Sequence, residues 1–136
     1  MARIYISLGT NIDRERNTRS GVEALRRRFG ELQLSSVYES EAVGFEGDDF
    51  LNLVARFESD SEPAEICEAI TAIHKLAGRD RHGGKWESRP LDIDLLLYND
   101  RVLEESRVPR EDVLEYSFVL RPLAELAPDL VHPVTG

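Results

Sequence analysis

Residues 50–57, Phe50-Leu51-Asn52-Leu53-Val54-Ala55-Arg56-Phe57, read as a strand: Leu51, Leu53, Ala55 and Phe57 alternate, while Phe50 and Asn52 share the other face. What flanks this stretch decides the fold. Upstream, residues 32–38 read as a second strand with Leu34, Ser36 and Tyr38 on one face, and only a loop over 39–49 with Gly44, Gly47 and two adjacent aspartates separates the two. Downstream, Ser61 reads as an N-cap with Glu62 and Pro63 behind it, opening a helix to about residue 77 that carries Ile66, Ile70 and Ile73 on its buried stripe; Gly78 stops it. Further out, residues 3–8 alternate Ile4, Ile6 and Leu8 with Arg3, Tyr5 and Ser7, a half-buried strand. Gly9-Thr10-Asn11 reads as a turn into a helix that starts near Asp13, is marked by the helical spacing of Val22, Leu25, Arg26 and Phe29, is weakened in its middle by Gly21 and closes at Gly30. Residues 91–98 form a further strand, Asn99-Asp100 a turn, 101–104 a short hairpin partner, Pro109 the start of a helical turn and 117–126 a last helix ended by Pro128. The order β-α-β-β-α-β predicts an α+β fold: a ferredoxin-like sandwich, one domain over residues 1–136, with a mostly antiparallel sheet and the helices packed on one face.

Composition narrows the function classes. The chain has 136 residues, 41% of them hydrophobic and 32% charged, which suits a packed soluble domain and excludes a disordered one. The net charge of −9 argues against nucleic acid or an anionic membrane as partner. No apolar run approaches the ~18 residues of a membrane span, and Met1 leads directly into a strand pattern rather than a signal peptide. A single cysteine, Cys67, excludes an internal disulfide and a cysteine-based zinc site; its place beside Ile66 points to packing, and a reducing cytoplasm is the expected location.

The densest chemical signal is Asp92-Ile93-Asp94 in an otherwise apolar strand. Alternate strand residues share a face, so both carboxylates point one way and Ile93 and Leu95 the other. Two carboxylates this close repel unless a cation lies between them, and hard-cation sites that also hold phosphates use one or two carboxylates plus water. The competing reading is an edge strand with a solvated acidic face. Just upstream, Arg79, Arg81, Lys85 and Arg89 gather in a glycine-bearing loop of an otherwise acidic chain. Arginine forks suit phosphate oxygens, and cations around a carboxylate-held metal are what phosphoryl transfer requires; a solvated loop balancing nearby acids is the alternative. Trp86, the only tryptophan, lies in that loop as a lid, a stacking group or an anchor. Phe50 beside Asn52 could hold a flat heterocycle by stacking and amide hydrogen bonds, although spacing alone favours a core phenylalanine beside a strand-end amide. His74 is placed on the polar side of its helix; with His82 and His132 scattered, no histidine pair has metal-ligand spacing.

In these residues the chain resembles the 6-hydroxymethyl-7,8-dihydropterin pyrophosphokinases of folate biosynthesis. The resemblance runs from Tyr5 to about Pro133. It is carried by Leu8-Gly9-Thr10-Asn11, by Ser35 to Tyr38 as S-x-x-Y, by Phe50-Leu51-Asn52, by residues 78–94 as G-R-x-R-x-x-x-x-W-x-x-R-x-L-D-I-D, by Val108-Pro109, and by residues 122–128 as P-L-x-E-L-A-P. It implies transfer of pyrophosphate from ATP to the hydroxymethyl group of the pterin, leaving AMP. By the same resemblance, Asp92 and Asp94 would hold two Mg2+ ions against the ATP phosphates. Arg79 and Arg89 would neutralise those phosphates, Arg81 and Lys85 would assist, and Trp86 would close over the site. Asn52 would hydrogen-bond the pterin, Phe50 and Phe118 would sandwich it, and backbone groups near Ser40 and Val43 would complete the pocket. The partners implied are small molecules only, with a monomer expected.

The chain also departs from the pattern. Phe50 stands where a tyrosine is familiar, which keeps a stacking ring without its hydroxyl. Arg110 follows Val108-Pro109 where a histidine is common, and is the expected cationic contact there. Tyr116 replaces a common arginine, and Glu41-Ala42 a proline-rich pair. The rival reading is a paralogue on the same scaffold that binds pterin or nucleotide without turnover, or acts on an altered substrate.

Overall fold

The computed structural model of the chain describes residues 2–40, 49–76, 91–99 and 117–127. Its centre is β1 (Ala2–Thr10), paired antiparallel with β4 (Phe50–Ser59) on one side and with β5 (Asp92–Tyr98) on the other. The short strands β2 (Gln33–Leu34) and β3 (Tyr38–Ser40) both run antiparallel along the far side of β4. The sheet order is therefore β2-β4-β1-β5, with β3 beside β4. Helices α1 (Arg14–Phe29), α2 (Pro63–Leu76) and α3 (Ser117–Leu126) complete the α+β architecture. With β2 and β3 as two pieces of one interrupted edge strand, the order up to β5 is the expected β-α-β-β-α-β, and with the antiparallel sheet it agrees with the ferredoxin-like expectation; α3 follows β5. The hairpin partner at 101–104 and the turn at Pro109 lie outside the described residues.

The period-2 alternation produces the main core. Ile4, Ile6 and Leu8 of β1 bury with Leu53, Ala55 and Phe57 of β4 and with Ile93 and Leu95 of β5. Val22 and Leu25 of α1 and Ile66, Ile70 and Ile73 of α2 cover them from the same side, and Cys67 packs at the margin. Each such aliphatic side chain contributes roughly 1.5–3 kcal/mol by leaving water.

The third helix corrects the expectation that all helices share one face. Val119 and Leu123 of α3 pack with Tyr5, Val54, Leu96 and Leu97, the opposite face of the sheet. The amphipathic pattern of α3 requires an apolar surface but does not say which one. A register shift between Tyr5 and Ile6 in the β1–β5 ladder puts both Leu96 and Leu97 in this second cluster.

The edge strand differs as well. Leu34 lies opposite Ala55, yet Tyr38 lies opposite Asn52, so the edge carries one extra residue. Leu34 consequently packs on the helix-covered core while Tyr38 is paired on the other face, correcting the assignment of Leu34, Ser36 and Tyr38 to one face. Ser35 makes the break tolerable. Its N–H donates to the Val54 carbonyl at 2.9 Å, and its Oγ accepts from the Val54 N–H at 2.9 Å, standing in for a backbone carbonyl.

Helix ends follow local chemistry. Asp13 takes the left-handed conformation with φ 44° at the N-cap of α1, and Gly30 ends the helix at φ 86°. At α2 the cap is Glu62, not Ser61. The Glu62 carbonyl accepts the Ile66 N–H, and its own N–H donates to the Glu65 carboxylate at 3.0 Å, while the Ser61 N–H goes to Ser59 Oγ. Gly21 is a point of close approach: a Cβ there would lie 2.7 Å from Leu8 Cδ1 and 2.9 Å from Leu91 Cδ1. Among the described residues no helix is long and apolar enough to cross a membrane.

Candidate active site

The face that α3 covers is apolar only at one end. Toward the C-terminal end of β1 the same face turns polar, because Ser7 and Gly9 follow Tyr5 on it. Residues directly opposite in an antiparallel ladder project to the same side. Gly9 faces Asp92 on β5 and Asn52 on β4, and Asn52 faces Tyr38 on β3. One row along, Ser7 faces Asp94 and Val54. Asp92 and Asp94 are half-buried, and the buried Ile93 and Leu95 lie in the opposite core, as the alternation predicts.

Small neighbours leave room over this patch. A Cβ on Gly9 would sit 3.0 Å from Asn52 Oδ1 and 3.7 Å from Phe50 Cδ2, so the bare backbone of β1 lets the amide and the ring lie close to the sheet. The buried Asn52 donates from Nδ2 to Ser40 Oγ at 2.7 Å and, at longer range, to the Tyr38 carbonyl at 3.4 Å. Ser40 in turn faces Phe50 across the β3–β4 pair. Ser40, Phe50 and Asn52 thus form one corner of the patch, and Asp92 and Asp94 form the other, with Gly9 and Ser7 between them.

Among the described residues the carboxylate pair Asp92 and Asp94 is the candidate cation holder on this face. Among the described residues no group of three or more His, Cys, Asp or Glu side chains could enclose a metal. Two hard oxygen donors on one strand, facing a glycine and a serine, fit a divalent cation that takes its remaining ligands from water and phosphate oxygens.

Three supporting contacts were not legible in the sequence. His74 is half-buried and reaches β5, where its Nε2 accepts the Ile93 N–H at 2.9 Å; this corrects its placement on a polar helix side. Arg14 donates to the Asp49 carbonyl at 3.1 Å and pairs with Glu39 at 3.4 Å, joining the two strand ends that flank residues 41–48. Glu125 of α3 accepts from the Ser36 N–H at 2.7 Å, from Ser36 Oγ at 3.1 Å and from the Tyr38 hydroxyl at 2.6 Å. The Tyr38 hydrogen bond, followed by the Ser36 N–H, holds the Glu125 carboxyl below the ordinary range. The same carboxylate, first by accepting that hydrogen bond, raises the Tyr38 phenol above its usual value.

Of the residues selected by sequence, the fold brings Ser40, Phe50, Asn52, Asp92 and Asp94 onto one end of one sheet face. Phe118 lies in the first turn of α3, and its side chain is outside the described residues. Val43, Arg79, Arg81, Lys85, Trp86, Arg89 and Arg110 also lie outside them.

An antiparallel α+β sheet with an aromatic and an amide at one corner of a polar patch, and paired carboxylates at the other, could hold a small molecule at the first and a hard cation at the second. Sequence comparison supplies the family. The profile of 7,8-dihydro-6-hydroxymethylpterin-pyrophosphokinase matches residues 5–128, and the chain belongs to that family. A relative from Aquifex aeolicus named 2-amino-4-hydroxy-6-hydroxymethyldihydropteridine pyrophosphokinase is 36% identical over 138 residues, covering 98% of this chain and 86% of the relative. A protein of the same name from Porphyromonas gingivalis is 38% identical, covering 98% and 95%. One from Bacillus subtilis is 35% identical, covering 97% and 82%.

Proposed function

We propose that this chain transfers pyrophosphate from ATP to the hydroxymethyl group of 6-hydroxymethyl-7,8-dihydropterin, a step of folate biosynthesis. The hydroxymethyl oxygen bonds to the β-phosphorus of ATP, the bond from that phosphorus to the α–β bridging oxygen breaks, AMP leaves and the hydroxyl proton is lost. The observation that carries this reading is the convergence of Asp92 and Asp94 with Phe50, Asn52 and Ser40 across Gly9, in a chain of this family.

In this reading Asp92 and Asp94 hold two Mg2+ ions. Bound there, magnesium supplies charge neutralisation for the phosphate oxygens. Arg79 and Arg89 carry the same burden from the protein side, with Arg81, Lys85 and Arg110 as further cationic contacts to the nucleotide. Asn52 orients the pterin by hydrogen bonds from its amide. Phe50 and Phe118 stack on the ring, Ser40 and Val43 border it, and Trp86 excludes water that would compete with the pterin hydroxyl. The pre-set Asn52–Ser40 hydrogen bond supports the role of Asn52, because an amide already held needs little further ordering on binding. We further propose that residues 1–136 work as one domain, as a monomer, in the cytoplasm.

The test is AMP release from ATP with the dihydropterin and Mg2+, with Asp94→Ala in parallel. We expect AMP that depends on both the pterin and Mg2+ and falls by more than about 100-fold in the variant. Pterin binding by folded wild-type protein without AMP would overturn the enzyme reading in favour of the binding paralogue.

A further inference from the structure

The order β2-β4-β1-β5 leaves β5 with a single described strand neighbour, β1. Along such a strand alternate backbone N–H groups point away from the neighbour. The Ile93 N–H is one of them, since it donates to His74 Nε2 at 2.9 Å, on α2. Ile93 is the residue between Asp92 and Asp94. By the alternation of the ladder, an outward-pointing N–H at Ile93, opposite Leu8, directs the backbone groups of Asp92 and Asp94 inward to Gly9 and Ser7. The tripeptide that carries both carboxylates is thus held from both sides: by β1 at its two ends and by an imidazole at its middle.

A ring that accepts at Nε2 is neutral with its proton on Nδ1. His74 sits in the last turn of α2, and the buried Ile66, Ile70 and Ile73 seat that helix on the core. The acceptor is therefore mounted on an element fixed by packing. The pleat of β5 sets the spacing and direction of alternate side chains. A backbone free to shift at Ile93 would change both carboxylates at once.

Building on the proposed role of Asp92 and Asp94, we propose that His74 is a positioning residue for that carboxylate pair: its imidazole fixes the strand between them so that they share divalent cations and the attached phosphates. It touches neither substrate nor reacting atoms in this role. Any neutral acceptor at the same reach serves, and glutamine places its Oε1 close to where histidine places Nε2.

The test uses the full chain with His74→Gln, His74→Asn and His74→Leu, and with Asp94→Ala as the control for the site itself. In metal-free protein the Ile93 amide is expected to exchange slowly in wild type and in His74→Gln, and faster in His74→Asn and His74→Leu, whose side chains cannot supply an acceptor at that reach. The Mg2+ concentration for half-maximal AMP release, and the Kd of α,β-methylene-ATP in Mg2+, should rise about tenfold or more in the Leu and Asn variants and return toward wild type in Gln. The KM for the pterin should stay within twofold. A folded His74→Asn or His74→Leu protein with unchanged Mg2+ dependence and unchanged Ile93 exchange overturns the inference, as does loss of thermal stability with no change in the Mg2+ requirement. Full activity in Asp94→Ala would instead overturn the site reading on which the inference rests, and the exchange result would still report whether His74 fixes β5.

Discussion

Gly9 and Asn52 lie directly opposite each other in the β1–β4 ladder, and the missing side chain at Gly9 is what leaves room for the Asn52 amide over the sheet. A methyl at that position would stand 3.0 Å from Asn52 Oδ1, tight enough to displace the amide by a few tenths of an ångström. Gly9→Ala should therefore raise the KM for the pterin several-fold, to about tenfold, while leaving the Mg2+ requirement unchanged. Steady-state kinetics with each substrate varied separately would show this split. An equal rise for nucleotide and pterin would contradict it.

Removing the amide itself should be costlier. Asn52→Ala abolishes the donor to Ser40 Oγ and the group proposed to meet the pterin. An unmade hydrogen bond in a buried site costs about 1–3 kcal/mol, so pterin affinity should fall by about 5- to 150-fold. Titration calorimetry with the dihydropterin and a non-hydrolysable nucleotide measures it. Ser40→Ala should have a weaker effect in the same direction, because it removes the anchor of the amide and not the amide.

The strand faces that gather Asp92, Asp94, Phe50 and Asn52 are legible in the sequence. The face assignment of Asp92 and Asp94 needs only strand alternation, and it holds because β5 also has Ile93 and Leu95 to bury. The third helix is met at the expected bounds, Ser117–Leu126, since its apolar spacing is local information. Its position is not local: Val119 and Leu123 pair with Tyr5, Val54 and Leu97, residues far away in the chain. The bulge in the edge strand was hidden for the same reason. Ser35 looks like any strand serine until its hydroxyl is seen replacing a carbonyl opposite Val54. His74 shows no pattern at all in the sequence, because its partner is a backbone N–H and leaves no residue-type signature.

The same distinction between local and tertiary signals decides Gly21. Read alone, a glycine in mid-helix weakens α1, and alanine should gain up to about 1 kcal/mol. In the fold, a Cβ would lie within 2.9 Å of two leucine methyl groups, Leu8 Cδ1 and Leu91 Cδ1, on side chains that are only 1% exposed. Overpacking a closed core costs about 1–3 kcal/mol, which outweighs the propensity gain. Gly21→Ala should lower stability by about 1 kcal/mol and Tm by about 3–5 °C, measured by urea and thermal unfolding. A higher Tm would mean that α1 can lift from the sheet without penalty.

The Glu125 contact gives a prediction in pH. Glu125 joins α3 to the bulged edge strand through the Ser36 N–H and the Tyr38 hydroxyl, and these bonds lower its pKa in the native state. A carboxyl whose native pKa is depressed adds stability above its unfolded value, and that stability is lost as pH falls through the native value. The Tyr38 pKa is raised, so its contribution is present below the unfolded tyrosine value and is lost as pH rises through the native one. The contact should therefore be fully present between about pH 6 and 9 and weaken on both sides of that window. Urea unfolding of wild type and Glu125→Ala should differ by a constant amount across that range and converge only as pH falls through the depressed native pKa of Glu125, below which both carry a neutral group at the site. Tyr38→Phe keeps the Ser36 bonds, so it should differ less from wild type, and its Glu125 acid limb should lie at higher pH because the largest cause of the lowered pKa is gone. A gap between wild type and Glu125→Ala that stayed constant down to pH 3 would show that the stabilisation comes from packing of the side chain and not from its charge.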